Sequence, residues 1–356
     1  MYSKEDSMKT IKDYVDYSVE KACEILAIPS PSGYTQEAAD WLIKELKALG
    51  YKPKQTIKGG VTVDIGGKDE KNALLLSAHM DTLGGMVHEV KSNGRLKITG
   101  IGCFNPANGE TENCIIQTKF SGKYEGTLQL INASTHVNKD FQKTERTFDS
   151  TEVVIDEDVS DAEDVQALGI QAGDFVCFEP RTRVTKSGYI KSRYLDDKLS
   201  CGMLLGYAKF LKDNNIVPAR KIYMHFTCFE EVGYGANAYC PKGVTEAICV
   251  DMGCVGEGLT CTERMVSICA KDSSGPYHYD TVKGLEEAAI RCKADYAVDI
   301  YPDYVSDVAA TIAAGFDIKH GCIGAGVYAS HGYERSHKDG VMNTLMLVDE
   351  YVGHAE

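Results

Sequence analysis

The segment NALLLSAHMD, residues 72–81, most constrains what this chain can fold into. Its short, uninterrupted apolar stretch is typical of a strand covered on both faces, as in a parallel sheet between layers of helices. Helical spacing of apolar residues precedes it twice, over residues 4–27 and 35–49, and VTVDIGG (61–67) predicts a neighbouring strand. These features together predict an α/β fold.

The pattern changes between residues 88 and 186. Short alternating segments such as GRLKITGIG and TLQLINAS predict strands, and DAEDVQALG (161–169) is the one helix expected there. We therefore predict a small β-rich domain, residues 88–186, inserted into a discontinuous α/β domain of residues 1–87 and 187–356.

The alternation of helices and strands resumes after the insert. An amphipathic helix is expected to begin near Asp196. The remaining predictions are strands at 221–229, 246–250, 295–300 and 318–323, and helices at 281–293, 305–314 and from about Asn343.

Charge and cysteine usage narrow the function classes. The formal net charge of −14 comes without a basic cluster, which argues against a nucleic-acid surface. No stretch approaches the roughly 20 apolar residues of a membrane span, and the charged N-terminus lacks the core of a signal peptide. The 13 cysteines are scattered without CxxC pairs, which favours reduced thiols. We therefore expect a cytoplasmic protein with neither a nucleic-acid nor a membrane partner.

Several polar residues stand where predicted strands end. They are His79, Asp81, Glu230, Glu231 and Asp251. In an open α/β sheet the carboxyl ends of the strands form the edge at which ligands bind, so these side chains are expected to converge. Asp196 and Asp197, at the start of a helix, could join them, although alone they also fit a helix N-cap.

Imidazole and carboxylate are ligands that zinc, cobalt and manganese accept, and this set is too large for one ion. It therefore suggests a two-metal hydrolytic site, in which the ions activate a water and polarise the attacked carbonyl. Such a site also needs a base that is not a metal ligand. Adjacent glutamates, Glu230 and Glu231, could divide these two tasks.

Five segments, in chain order, resemble one known family. They are SAHMDTLGG, YLDDKLSCG, CFEEVG, VDMG and ERSHKDG, with the β-rich insert between the first two. This arrangement resembles the co-catalytic dinuclear metallo-aminopeptidases of the glutamyl aminopeptidase and tetrahedral (TET) aminopeptidase family, whose members are often called cellulases or endoglucanases. The resemblance extends over nearly the whole chain.

The resemblance implies two divalent metal ions per chain, with zinc as the first expectation and cobalt or manganese as alternatives. His79 and Asp251 would hold one ion, Glu231 and His337 would hold the other, and Asp196 would bridge them.

Two further roles follow from the same resemblance. Glu230 would be the general base and acid, and Asp81 would orient the imidazole of His79 without itself binding a metal ion. His331 is the alternative to His337, which is preferred because ERSHKDG better matches the family's pattern of arginine, spacer and histidine.

The implied fold is a mixed-sheet, three-layer zinc-peptidase-like catalytic domain with an inserted β-barrel-like dimerisation domain. The family's dimers often assemble into a tetrahedral dodecamer, so a homo-oligomer acting on short peptides is expected. The chain departs from the family at Thr82, where a glutamate is common, and at Gly253, where a threonine is usual.

The leading functional prediction is a metal-dependent aminopeptidase that removes N-terminal residues by metal-activated water attack. The alternative is a two-metal deacylase or amidohydrolase acting on small acylated amino acids. A glycosidase is disfavoured, because adjacent glutamates at one strand end cannot flank a sugar bond at roughly 5 to 9.5 Å. A non-catalytic metal-stabilised protein is disfavoured because the full ligand set and the base are present. The preferred N-terminal residue is left open.

Overall fold

The computed structural model describes residues 9–237 and 239–355. Its helices are Val15–Leu26 (α1), Gln36–Ala48 (α2), Pro106–Gly109 (α3), Ala162–Ala167 (α4), Leu195–Asp213 (α5), Tyr279–Cys292 (α6), Asp307–Ala313 (α7) and Lys338–Val352 (α8). Short 3-10 helices cover Ile11–Tyr14 and Glu230–Val232.

The strands divide between a large sheet and a barrel. Up to the insert and through it they are Lys54–Gln55 (β1), Val61–Gly66 (β2), Asp69–His79 (β3), Gly84–Val90 (β4), Leu96–Ile101 (β5), Asn113–Gln117 (β6), Lys123–Leu130 (β7), Thr151–Ile155 (β8) and Phe175–Phe178 (β9). After it they are Arg183–Val184 (β10), Tyr189–Ser192 (β11), Arg220–Thr227 (β12), Val244–Val250 (β13), Gly253–Val255 (β14), Val266–Asp272 (β15), Gly275–Pro276 (β16), Tyr296–Ile300 (β17), Lys319–Tyr328 (β18) and Glu334–His337 (β19).

The large sheet is mixed, in the order β1-β2-β12-β3-β13-β18-β19-β11-β10, with β14 to β17 joined near β18. Its centre is parallel, because β3 pairs in parallel with both β12 and β13, and β13 pairs in parallel with β18. The carboxyl ends of these four strands therefore meet at one edge.

Side chains of β3 alternate between two apolar cores, as the twofold period of a strand requires. Leu74 and Leu76 face the core that contains α1, α5 and α8. Ala73 and Leu75 face the opposite core, which contains Val308 of α7. The sheet is thus covered on both faces there, which explains why β3 is apolar and uninterrupted from Ala73 to Leu76.

The strands β4 to β9 form a closed barrel in the order β4-β5-β8-β7-β6-β9, with a separate apolar core. The predicted mixed α/β architecture with a β-rich insert is confirmed. The exact domain boundaries, 88–186 within 1–87 and 187–356, stay a prediction. Within the described part of the chain, no helix is both long and apolar enough to cross a bilayer.

Three helix predictions differ from the structure. One helix is expected in the insert, and the structure has the short helix α3 there besides α4. The described part of the predicted helix 4–27 begins as the 3-10 turn at Ile11 before α1, and residues 4–8 lie outside the described residues. The last helix begins at Lys338 rather than about Asn343, because the His337 side chain accepts a hydrogen bond from the Asp339 amide and so caps an earlier start.

Helix α5 packs closely on α1, and Gly202 permits this approach. A Cβ atom at Gly202 would lie 2.4 Å from the Ser18 carbonyl oxygen and 2.7 Å from the Ala22 amide nitrogen. We expect Gly202→Ala to lower the free energy of unfolding by about 2 kcal/mol or more, although alanine is the better helix former. Gly256→Ala is the control, since a Cβ there meets no described atom within 4 Å. Equal urea midpoints for the two variants would contradict this expectation.

Candidate metal and active site

The parallel centre of the sheet brings the predicted strand-end residues together. His79 is the last residue of β3 and is paired in register with Thr227, the last residue of β12. Asp251 follows directly after β13. The predicted convergence at one sheet edge therefore follows from parallel pairing.

Asp196 lies between two imidazoles. Its Oδ1 is 2.9 Å from His79 Nε2, and its Oδ2 is 3.4 Å from His331 Nε2. Asp196 lies in the first turn of α5 but has a non-helical backbone (φ −76°, ψ 101°), so its side chain is not directed as it would be in a regular helix. One carboxylate with an oxygen toward each imidazole is the arrangement that a bridging ligand needs.

The adjacent glutamates face different imidazoles. They sit in the 3-10 turn after β12, which ends at Gly233 with φ 89°, a left-handed conformation suited to glycine. Glu231 Oε2 lies 3.5 Å from His331 Nε2, while Glu230 Oε2 lies 3.7 Å from His79 Nε2. The pair is thus placed for two different tasks.

Asp81 supports the site mainly through the backbone. Its carboxylate accepts hydrogen bonds from the amides of Glu230 and Glu231, at 3.1 and 3.3 Å, and from the Ser32 hydroxyl at 2.5 Å. Its own carbonyl oxygen accepts from His79 Nδ1 at 3.0 Å, whereas its carboxylate Oδ1 is 3.7 Å from that nitrogen. The carbonyl bond leaves His79 Nε2 facing the cluster, as a metal ligand requires.

Glu334 performs a similar task on the other side, and the sequence reasoning missed it. Its Oε2 accepts from the Asp196 amide at 3.0 Å, and its Oε1 accepts from the His331 amide at 2.9 Å. Burial raises the pKa of Glu334 to about 8. Glu334 stands at the start of ERSH, the segment from which His337 was predicted, and this position was the sequence feature that pointed to it.

Asp197 also contacts the cluster directly. Its Oδ2 accepts from the His79 amide at 3.1 Å, and its buried Oδ1 has no hydrogen bond from the described residues. Potential ligand atoms lie within 4.8 Å of one another in two groups. The groups are His79, Asp196 and Glu231, and His79, Asp197 and Asp251.

The structure does not bring His337 to the cluster. Its Nε2 bonds the Ser187 carbonyl oxygen at 2.7 Å, and its Nδ1 accepts from the Asp339 amide as the cap of α8. Both ring nitrogens are therefore engaged elsewhere. His331, the alternative in the same segment, is the histidine that the structure places beside Asp196 and Glu231.

His331 lies in the loop between β18 and β19 of the large sheet and contacts α3 of the insert. It has a left-handed backbone (φ 62°), and its carbonyl oxygen accepts from Asn108 Nδ2 at 3.0 Å. Asn108 belongs to α3, which lies between two barrel strands. The side chain of His331 is 37% exposed, whereas that of His79 is 1% exposed.

The cluster carries more carboxyls than imidazoles, and burial strongly affects their protonation. Burial raises the pKa of Glu230 and of Glu231 well above the ordinary value, and that of Asp251 to about 7. Asp196 differs, because despite burial the hydrogen bonds with His331 and His79 hold its pKa below the ordinary value. Bound divalent cations would relieve this crowding of carboxylates, so the residues fit a metal centre.

A cavity of about 420 Å³ opens beside the cluster. Glu230, Glu231 and His331 line one side of it, and the loop 303–307 before and into α7 lines another. The cavity thus gives a small substrate access to the proposed metal ligands and to Glu230.

Comparison with known proteins decides the family. Residues 59–347 match the family model described as M42 glutamyl aminopeptidase. The chain belongs to this family. The resemblance inferred from the sequence is therefore confirmed, and this M42 protein is a metal-dependent aminopeptidase, a hydrolase of peptide bonds.

Individual proteins are similar to this chain in sequence or in fold. The putative aminopeptidase YhfE of Bacillus subtilis (strain 168) is 43% identical over 329 residues, which are 92% of this chain and 95% of the relative. The TET aminopeptidase of Thaumarchaeota archaeon SCGC AB-539-E09 has a similar fold, with a TM-score of 0.86, 17% identity and coverage of 95% and 96%. The TET1 peptidase of Pyrococcus horikoshii superposes with a TM-score of 0.81, 20% identity and coverage of 94% and 99%.

Because His331 lies at the cluster and His337 does not, we predict different metal contents for their alanine variants. His331→Ala should hold about one fewer ion per chain after dialysis, because it loses an imidazole ligand. His337→Ala should keep the full metal content and lose about 1 kcal/mol of stability with its helix cap. Elemental analysis and thermal unfolding measure these effects. Loss of metal from His337→Ala but not from His331→Ala would show that His337 is the metal ligand, as the sequence predicts.

Proposed function

We propose that this M42 chain removes single N-terminal residues from short peptides with two bound divalent cations. The observation that carries the proposal is the position of Asp196, with one carboxylate oxygen toward His79 and the other toward His331. That arrangement supports a shared ligand between two adjacent ions.

The proposed ligand set divides between the two sides of Asp196. His79 and Asp251 would hold one ion, and Glu231 and His331 would hold the other. Zinc is the first candidate, and cobalt or manganese also accept this combination of nitrogen and oxygen donors. When bound, such ions lower the pKa of a water molecule and polarise the peptide carbonyl. Asp197 holds the His79 backbone and leaves one oxygen near Asp251.

Glu230 is the proposed general base and acid. Its Oε2 would take a proton from the attacking water and return it to the nitrogen of the departing peptide. Both glutamates line the cavity, but Glu231 Oε2 lies beside the imidazole of His331 whereas Glu230 Oε2 lies on the His79 side, which supports separate roles for the two carboxylates. The Asp81 bonds to both amides fix the turn, so that the two carboxylates keep separate orientations.

We further propose a homo-oligomer built through the inserted barrel. The P. horikoshii TET1 peptidase, which has a similar fold, can assemble into a tetrahedron or a large octahedral shell. Phe120, in the turn between β6 and β7 of the barrel, is 88% exposed, which supports a contact role for this face.

All 13 cysteines are free thiols, which supports the cytoplasmic location predicted from the sequence.

A substrate panel tests the proposed activity. Aminoacyl p-nitroanilides, short peptides with free N-termini and N-acetylated amino acids are assayed before chelation, after chelation, and after return of zinc, cobalt or manganese. Stepwise N-terminal release that chelation abolishes and metal restores is the expected result. Hydrolysis restricted to N-acylated amino acids, in a sample holding two ions per chain, would instead identify a deacylase.

The proton-transfer role of Glu230 gives a sharper prediction. Glu230→Gln should lower kcat by about 10²- to 10⁴-fold while keeping the metal content, because the amide cannot accept the proton. Glu257→Gln is the matched control, since Glu257 is exposed and outside the cavity. Near-normal kcat in Glu230→Gln with both ions bound would exclude this role.

A further inference from the structure

The cavity beside the metal cluster carries two carboxyls that the proposed chemistry does not use. They are Asp303 and Asp307, at the two ends of the loop that leads into α7. None of the described residues that line the cavity is a lysine or an arginine. Its ionisable walls, apart from the proposed ligand His331, are therefore acidic.

Asp307 has a buried oxygen, Oδ1, that receives no hydrogen bond of normal geometry from the described residues. It is 1% exposed, and its Oδ2 accepts from the Thr227 hydroxyl at 2.5 Å. The amide of Ala236 stabilises the carboxylate, but no described group donates a hydrogen bond of normal geometry to Oδ1. This Oδ1 points toward Gly235 on the cavity wall, where a Cβ atom would lie 2.3 Å from it. Its carboxylate charge lies directly behind the cavity wall, and this negative potential favours a cationic group in the cavity.

Asp303 offers a second carboxylate, at the exposed part of the wall. Two hydrogen bonds with Ser273 hold the backbone of its loop. The Ser273 amide donates to the Tyr304 carbonyl oxygen at 2.9 Å, and the Tyr304 amide donates to Ser273 Oγ at 3.0 Å. The Ser273 hydroxyl also donates to the Pro302 carbonyl oxygen at 2.7 Å. No ion pair links Asp303 to any residue that the structure describes. Its charge is therefore open to a ligand in a fixed position.

The rest of the wall suits an aliphatic stem. Met252, Val305 and Ala310 line the same cavity as the two carboxyls. A lysine or arginine side chain combines an aliphatic stem with a cationic end, and so matches apolar walls that carry carboxylates. An aspartate or glutamate side chain would meet only like charge there.

We propose that this cavity holds the side chain of the substrate's first residue and selects lysine or arginine over aspartate and glutamate. The inference rests on the proposed aminopeptidase function, since it concerns the specificity of the same site. It separates this chain from the glutamyl preference in the description of its family.

Three p-nitroanilides test this specificity in the metal-loaded wild-type enzyme: those of lysine, norleucine and glutamate. Norleucine keeps the lysine stem and lacks its ammonium group. Burial raises the pKa of Asp307 to about 6, so an assay at pH 8 keeps this carboxylate ionised. We expect kcat/KM to be about fivefold higher for lysine than for norleucine at low salt, and lowest for glutamate. The lysine advantage should shrink at high salt.

The outcomes are separable. A norleucine rate equal to or above that of lysine, or a glutamate rate above that of norleucine, would overturn the specificity and leave the aminopeptidase intact. No hydrolysis of any of the three, with two ions bound, would overturn the proposed function itself.

Asp303→Asn identifies the residue responsible. This variant should lower the ratio of kcat/KM for lysine to kcat/KM for norleucine by about threefold. Asp317→Asn is the matched control, because Asp317 is also an exposed aspartate and does not line the cavity. An unchanged ratio in Asp303→Asn, or an equal fall in Asp317→Asn, would overturn the role of Asp303.

Discussion

Two buried carboxylates hold the backbone of the site, and the geometry of the ligands depends on them. Asp81 accepts from the amides of Glu230 and Glu231, and Glu334 accepts from the amides of Asp196 and His331. Charge-assisted bonds to backbone amides are among the stronger and more directional in proteins. Four functional side chains from three distant segments therefore have their starting points fixed, and their rotamers then decide which face the proposed ions and which face the substrate.

The architecture and the strand-end cluster could be predicted because both follow from periodic patterns. An apolar β3 flanked by helices allows few arrangements, and parallel pairing places the end of β3 beside those of β12 and β13. Convergence of His79, Glu230 and Asp251 was thus a consequence of topology. The different orientations of Glu230 and Glu231 also followed, since neighbours in a tight turn face different directions.

The remainder depends on loops, where spacing does not fix direction. His331 and His337 lie in one short segment, and the sequence could not show that His337 caps α8 while His331 adopts a left-handed conformation. The supporting bonds of Glu334 depend on the same loop and were not predicted. The carboxyls of Asp303 and Asp307 lie in the connection before α7, where no periodic pattern indicates which residues enter the cavity.

The bond from Asn108 to the His331 carbonyl oxygen gives the two imidazoles unequal mechanical support. His79 is fixed within the central sheet, whereas His331 spans the junction between two separately packed cores. A small rotation of the barrel against the sheet would therefore displace one side of the centre and leave the other in place. If the barrel carries the proposed subunit contact, a shift at that contact reaches the His331 side of the site before the His79 side.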